Sequence, residues 1–168
     1  TQPILDASNA VIGLAAERFT KNLWTERATG RRPRLVATSD EAGQASYVAD
    51  RVLEARERGT ALKSQAVLFR SASHSAPLEL ELARRGIPFV DLGADFRLDD
   101  AATYERWYGQ SHEAPALLGE FVYGIPELNR AAIRGAKAVA AAGCYATAAI
   151  LALKPLVDSG LVNPSSLI

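Results

Sequence analysis

Between residues 40 and 92 the chain alternates helix-length and strand-length apolar patterns, and this alternation limits the fold more than any other feature. After Asp40, a capping residue, Ala45, Val48, Ala49, Val52 and Leu53 recur on one helical face, and Gly59 closes the run. Residues 65–70 read as a buried strand. Ser75, with Pro77 just inside, opens a second helix that Gly86 stops, and residues 87–92 read as the next strand. Strands and helices of these lengths imply crossover connections and a parallel sheet. The expected fold is therefore α/β, a parallel sheet with flanking helices built from βαβ units, with the strands at 65–69 and 87–92 side by side. Residues 137–141 supply a last full strand. The helix expected over residues 145–158 is apolar nearly all round and is read as buried, with Pro155 bending it or ending it early.

The remaining segments carry weaker signals. Asp6 suits the cap of a helix running to about Phe19, residues 20–32 read as a polar loop, and residues 34–38 as a short strand. From Asp95 to Asn129 the chain is aromatic, with Tyr104, Trp107, Tyr108, Phe121 and Tyr123, and is expected to hold short helical pieces at most. Those rings are assigned to packing. Residues 166–168 are read as the start of one more strand.

Composition excludes several classes. A hydrophobic content of 48% with 23% charged residues fits a globular chain, and 168 residues suffice for one ordinary domain or two small ones. One cysteine rules out an internal disulfide and suits a reducing compartment. No apolar run reaches the roughly 18 residues of a membrane span, and no signal peptide opens the chain, so a cytoplasmic location without membrane contact is expected. The absence of methionine, position 1 included, reads as a chain cut from something longer at its start. Net charge is zero, and the local cluster Arg27, Arg31, Arg32 and Arg34 offers only a few phosphate contacts, so weak or no nucleic-acid binding is expected.

Neither G-x-G-x-x-G nor G-x-x-x-x-G-K-[ST] occurs, so the chain has no recognisable nucleotide-phosphate cradle. His74 and His112 with a single cysteine do not make a usual zinc site, and no G-x-S-x-G elbow supports a serine triad. That leaves Cys144, in Gly143-Cys144-Tyr145-Ala146-Thr147, at the turn between a strand and a helix. Unpaired N–H groups and the helix dipole favour a thiolate there. The alternative is a small inert hydrophobe. Arg97 follows a strand, where parallel sheets place ligands, and could fork onto a carboxylate or phosphate; its alternative is a salt bridge to Asp95 or Asp99. His112 reads as a surface loop histidine, and Asp95 and Glu120 are further polar groups of the same half.

Two family resemblances divide the chain near Val90. Residues 91–168 carry Asp91-Leu92-Gly93-Ala94-Asp95-Phe96-Arg97-Leu98, Tyr104-Glu105-Arg106-Trp107-Tyr108-Gly109, His112, Glu120-Phe121-Val122-Tyr123-Gly124-Ile125-Pro126-Glu127 and the Gly143–Thr147 motif. In order and spacing this segment resembles N-acetyl-gamma-glutamyl-phosphate reductase of arginine biosynthesis. The resemblance implies a Rossmann-like oxidoreductase in which a cysteine attacks an acyl phosphate and NADPH reduces the thioester to a semialdehyde. It makes Cys144 the nucleophile, with Arg97, Gly143 and Tyr145 toward the substrate. The family's Asn-Pro before Gly-Cys is replaced by Ala141-Ala142. Its glycine-rich dinucleotide loop and its distal base histidine have no counterpart here, so NADP is expected to bind this chain weakly if at all.

Residues 1–90 carry Thr1-Gln2-Pro3-Ile4-Leu5-Asp6-Ala7-Ser8-Asn9, Lys21-Asn22-Leu23-Trp24-Thr25 and Ala66-Val67-Leu68-Phe69-Arg70-Ser71, followed by Leu78-Glu79 and Leu82. They resemble the second RecA-like domain of a UvrD/Rep-type superfamily 1 DNA helicase, without the Walker segments of its other domain. Residues 86–90 suit either family. A join there keeps a βαβ unit whole, and the chain reads as a chimera or recombined fragment. The expected function is that of an incomplete reductase fragment, inactive alone; the alternatives are a helicase-derived nucleic-acid-associated module and an inactive scaffold.

Overall fold

The structure, a computed structural model, describes residues 1–27 and 30–167. Residues 28 and 29 of the expected polar loop and Ile168 of the expected final strand lie outside it. The chain divides into two compact units, Thr1–Thr38 and Ser39–Ile168.

The first unit is one helix and an irregular return. Helix α1 spans Gln2–Gly13, with Pro3 in its first turn, and ends before the Phe19 expected from sequence. The Arg18 guanidinium donates to the Gly13 carbonyl at 2.6 Å, satisfying one of the carbonyls a helix end leaves open. Asn9 brackets Leu23, donating to its carbonyl at 2.8 Å and accepting from its N–H at 3.0 Å, while Gln2 accepts from the Thr25 N–H at 3.2 Å. Amide side chains thus tie the return to one face of α1. No residue of α1 is buried, which is the expected limit for so short a piece of chain. Residues 34–38, expected as a strand, form none and are exposed.

The second unit holds the sheet. Helix α2 spans Glu41–Glu57, and Asp40 caps it by accepting from the Gly43 N–H at 2.7 Å. Helix α3 spans Ala76–Arg84 and packs on α2. Arg85 locks the pair, reaching Glu81 and Asp50 at 2.5 Å and Ser46 at 2.8 Å. Ala49, Leu82 and Ile87 form the core between them, with Val52, Leu53, Leu78 and Phe89 against it. Then follow β1 (Phe89–Asp91), α4 (Ala101–Tyr108), β2 (Phe121–Gly124), α5 (Pro126–Gly135), β3 (Ala138–Ala141) and α6 (Cys144–Asp158). The sheet is three-stranded and parallel in the order β1–β3–β2, so the α/β class and the parallel sheet with flanking helices hold.

Small residues on the central strand shape this core. Phe89 of β1 and Phe121 of β2 both stand opposite Ala138, and their rings meet edge to face at 5.5 Å across it. Ala140, fully buried, belongs to a second cluster with Phe96, Ala114 and Leu118. Gly124 is sterically required in β2. A Cβ there would lie 2.8 Å from the Ala140 carbonyl oxygen, and that backbone cannot move without opening the sheet.

Further expectations are corrected. Residues 65–69 form no strand, and the neighbour of β1 is β3; Leu68 is 93% exposed. Strand preference in Val67, Leu68 and Phe69 is a preference for a half-buried ladder, and without a partner it produces only extended chain. The aromatic segment contains a full strand, β2, which short-helix reasoning missed. Helix α6 is not enclosed: none of its residues is buried, and only a stripe of Ala146, Thr147, Ile150, Leu153 and Val157 is half-covered. It reaches Asp158 as expected, so Pro155 does not end it early. Of residues 166–168, expected to begin a strand, Ser166 closes a 3₁₀ turn over Pro164–Ser166 and Leu167 is in no strand.

Candidate active site

The carboxyl ends of parallel strands are where an α/β sheet exposes loops and helix starts together. Here β3 runs out through Ala142 and Gly143 into α6, and Cys144 is the first residue of that helix. Gly143 is the N-cap in extended conformation, and its carbonyl accepts from the Thr147 N–H at 2.8 Å. It has no side chain with which to cap, so the opening N–H groups of α6 have no side-chain partner. Cys144 is exposed, and Tyr145 beside it is 90% exposed.

Arg97 reaches this turn from 46 residues upstream. Its Nε donates to the Ala141 carbonyl at 2.9 Å and its Nη2 to the Leu92 carbonyl at 3.3 Å, so one guanidinium ties the ends of β3 and β1 together. A Cβ on Gly143 would lie 3.0 Å from Nη1, which places the third nitrogen directly against the Cys144 turn. The salt bridge to Asp95 or Asp99 weighed from sequence is not formed among the described residues; backbone carbonyls take its place. The structure thus brings Arg97, Gly143, Cys144 and Tyr145 to one edge.

The aromatic segment builds the wall behind them. Phe96 stacks on Phe121 with centroids 3.9 Å apart and planes 5° from parallel, and meets the His112 edge at 5.1 Å. The Tyr104 hydroxyl donates to Asp95 Oδ1 at 2.8 Å. His112 Nδ1 accepts from the Ala114 N–H at 3.0 Å, so Nε2 carries the hydrogen given to the Asp95 carbonyl at 2.9 Å. Both ring nitrogens serve the loop, and His112 acts there as a structural residue.

Sequence reasoning did not single out two buried acids, one on α3 and one at the end of β1. Glu79 is 5% exposed and Asp91 4% exposed. Burial chiefly, then the neighbouring Asp91, raises the Glu79 carboxyl to about 7, against a Ser75 hydrogen bond that lowers it. Burial likewise raises Asp91, against the hydrogen bond from Gly93 that lowers it. The only trace in the sequence is Glu79 lying between the core residues Leu78 and Leu82 on the short helix α3.

Charge at the helix starts separates one from the rest. In the second unit α2 opens on Asp40 and Glu41, α3 carries Glu79 in its first turn, α4 is capped by Asp100 and α5 carries Glu127. Only α6, among the described α-helices of this unit, begins without an acid or a side-chain cap. An anion is favoured there and disfavoured at the others. A dinucleotide pyrophosphate needs a glycine-rich turn leading into a helix, and each strand-to-helix turn before α6 ends in acid. The residues present do not fit NADP. Among the described residues no group of His, Cys, Asp and Glu can hold a metal ion, and no helix is long and apolar enough to cross a membrane.

The fold and site define an α/β chain that presents a thiol at the acid-free start of a helix. Residues 1–98 match the UvrD-like helicase C-terminal domain, and the chain belongs to that family. It is also similar to proteins named N-acetyl-gamma-glutamyl-phosphate reductase. Over 95 residues it is 55% identical to that of Pelotomaculum thermopropionicum, covering 56% of this chain and 27% of the relative. The reductase of Desulforudis audaxviator is 49% identical over 104 residues, covering 61% of this chain and 30% of the relative. That of Pseudomonas putida is 48% identical over 110 residues, covering 64% and 32%. The chain therefore spans about a third of the length of these relatives or less. Matches of 98 and 110 residues cannot fit within 168 without sharing part of the chain, so some stretch of it suits both families.

Proposed function

We propose that this chain is a recombined fragment, joined near Val90, whose second half retains the acyl-accepting half of an N-acetyl-gamma-glutamyl-phosphate reductase site. The observation that supports it is the convergence of Arg97 Nη1, Gly143 and Cys144 at the acid-free start of α6. In the reaction the Cys144 thiolate attacks the carbonyl carbon of an acyl phosphate. The carbonyl carbon–oxygen bond to phosphate breaks, the electron pair leaves with inorganic phosphate, and a thioester remains on Sγ. The helix N–H groups and Arg97 Nη1 carry the donors and positive charge that a departing phosphate needs. Gly143 keeps that space open, and Tyr145 stands exposed beside it for the substrate. Reduction of the thioester would require bound NADPH, for which the chain has no cradle, so turnover stops at the acyl-enzyme.

The test is incubation of the full chain with acetyl phosphate, followed by intact and peptide mass spectrometry. One acetyl group on the Cys144 peptide, phosphate release of about one equivalent and no NADPH oxidation are expected, with no adduct in Cys144→Ser at that position. An unmodified Cys144 in the folded wild-type chain would sink the reading.

The family match over residues 1–98 favours a second, weaker role. Arg27, Arg31, Arg32 and Arg34 are all exposed, as is Trp24 at 73%. Four cations and one ring support non-specific contact with single-stranded DNA at a dissociation constant on the order of 10⁻⁵ M, lost on raising salt. Fluorescence anisotropy with a labelled oligonucleotide checks it; submicromolar affinity would mean that the helicase half dominates.

A further inference from the structure

Asp91 and Asp95 flank Gly93 in the turn that carries Arg97, and Glu79 is buried on α3 within range of their charge. Asp91 Oδ1 accepts from the Gly93 N–H at 2.7 Å. Asp91 Oδ2 is buried with no hydrogen-bond partner, although the residue is only 4% exposed. A Cβ on Gly93 would lie 3.3 Å from Asp91 Oδ2 and 3.3 Å from Asp95 Oδ2, so the two carboxylates face the same side of Gly93. Glu79 lies close enough to feel the charge of both. The groups facing Glu79 are Ser75 from its own helix, Asp91 from β1 and Asp95 from the turn after it. Across the packing surface with α2, the charged groups Asp50 and Arg85 are engaged with each other. Arg97 acts on Asp91 but spends Nε and Nη2 on backbone carbonyls. Glu79 and Asp91 are therefore both buried without a dedicated cation, beside the half-buried Asp95 that accepts from the Tyr104 hydroxyl, and full ionisation there is costly.

We propose that Glu79 and Asp91 form a proton-linked brace under the turn of residues 91–97, beside the charge of Asp95, and that loss of the proton loosens the turn and withdraws Arg97 from Gly143 and Cys144. The bound proton supplies the donor that Asp91 Oδ2 lacks. With it in place, Asp91 holds the Gly93 N–H and the turn is fixed on both sides, by Asp91 below and by the Arg97 bonds above. Without it, mutual repulsion is relieved most cheaply by swinging the turn toward water, since Leu92 is already 77% exposed and Asp95 is only half-buried. The brace is a property of the turn and stands whether or not Cys144 accepts an acyl group.

Hydrogen–deuterium exchange of the full chain, followed on peptides covering residues 91–97 and corrected for intrinsic rates, tests the brace. From pH 5 to pH 7 wild-type protection should fall by up to about tenfold per unit, levelling off just above 7. Glu79→Gln, which is neutral throughout, should flatten that slope; Asp91→Asn reads the same outcome if the first variant fails to fold. A flat wild-type profile, or an equal slope in a folded variant, overturns the proposal. Acylation of Cys144 at fixed pH is a separate readout, so failure of either reading leaves the other distinguishable.

Discussion

Replacing Phe96 with alanine is expected to cost about 3–5 kcal/mol, the range for removing a buried aromatic ring from a core. The ring is 4% exposed, stacks flat on Phe121 and touches His112. It also stands between Asp95 and Arg97, so the cavity it leaves lies under the residue that ties β1 to β3. Against a total stability of roughly 5–15 kcal/mol, such a loss removes about a fifth or more of what holds a domain folded. Urea denaturation followed by circular dichroism measures it. Trp107→Ala is the control: that ring is 73% exposed and its removal is expected to change stability by about 0.5 kcal/mol or less. Equal losses from the two substitutions would mean that the Phe96–Phe121 stack does not organise the core.

Stability should fall as pH rises from about 4.5 to about 7. Glu79 loses its proton near 4.5 when the chain is unfolded but keeps it to about 7 when folded. Across that window the folded state holds a proton that the unfolded state has released, so each added pH unit favours unfolding. The contribution is complete below 4.5 and gone above about 7, and it amounts to at most about 3 kcal/mol. Asp91, raised by burial, acts in the same direction. On the acid side the half-buried Glu81 runs oppositely: hydrogen bonds from Arg84 and Arg85 hold it down to about 2, so its support is lost as pH falls from 4.5 toward 2. The two trends place the maximum near pH 4.5, and thermal melts from pH 3 to pH 8 locate it. Glu79→Gln should abolish the decline toward neutrality. A wild-type melting temperature that climbs from pH 5 to pH 7 would contradict the assignment of a protonated carboxyl to this core.

Both predictions concern residues that sequence reading placed in the right element and the wrong circumstance. Phe96 belonged to a motif whose family resemblance was plain, yet nothing in the motif said that its ring would lie on Phe121, 25 positions on. Arg97 was read as a ligand-binding fork or one half of a surface ion pair. Folding gives two of its nitrogens to the carbonyls of Leu92 and Ala141, which become neighbours only when β1 pairs with β3. The thiol was legible for the opposite reason. A lone cysteine directly after glycine, between an apolar strand and an apolar helix, needs only local geometry to reach a helix start.

What the sequence determined by itself was therefore whatever short-range chemistry specifies: the Asp40 cap and the helix behind it, the helix opened by Ser75 and Pro77, the strands around residues 89–91 and 138–141, and Cys144 at the head of α6. Each rests on capping, turn residues and periodicity within one element. Tertiary structure alone decided which strands paired. It left residues 65–69 without a ladder, made a strand of residues 121–124, kept α6 at the surface and buried the carboxyl groups of Glu79 and Asp91. A ladder partner, a covering layer and a loss of solvent are supplied by residues far away in the chain, and no local pattern encodes them.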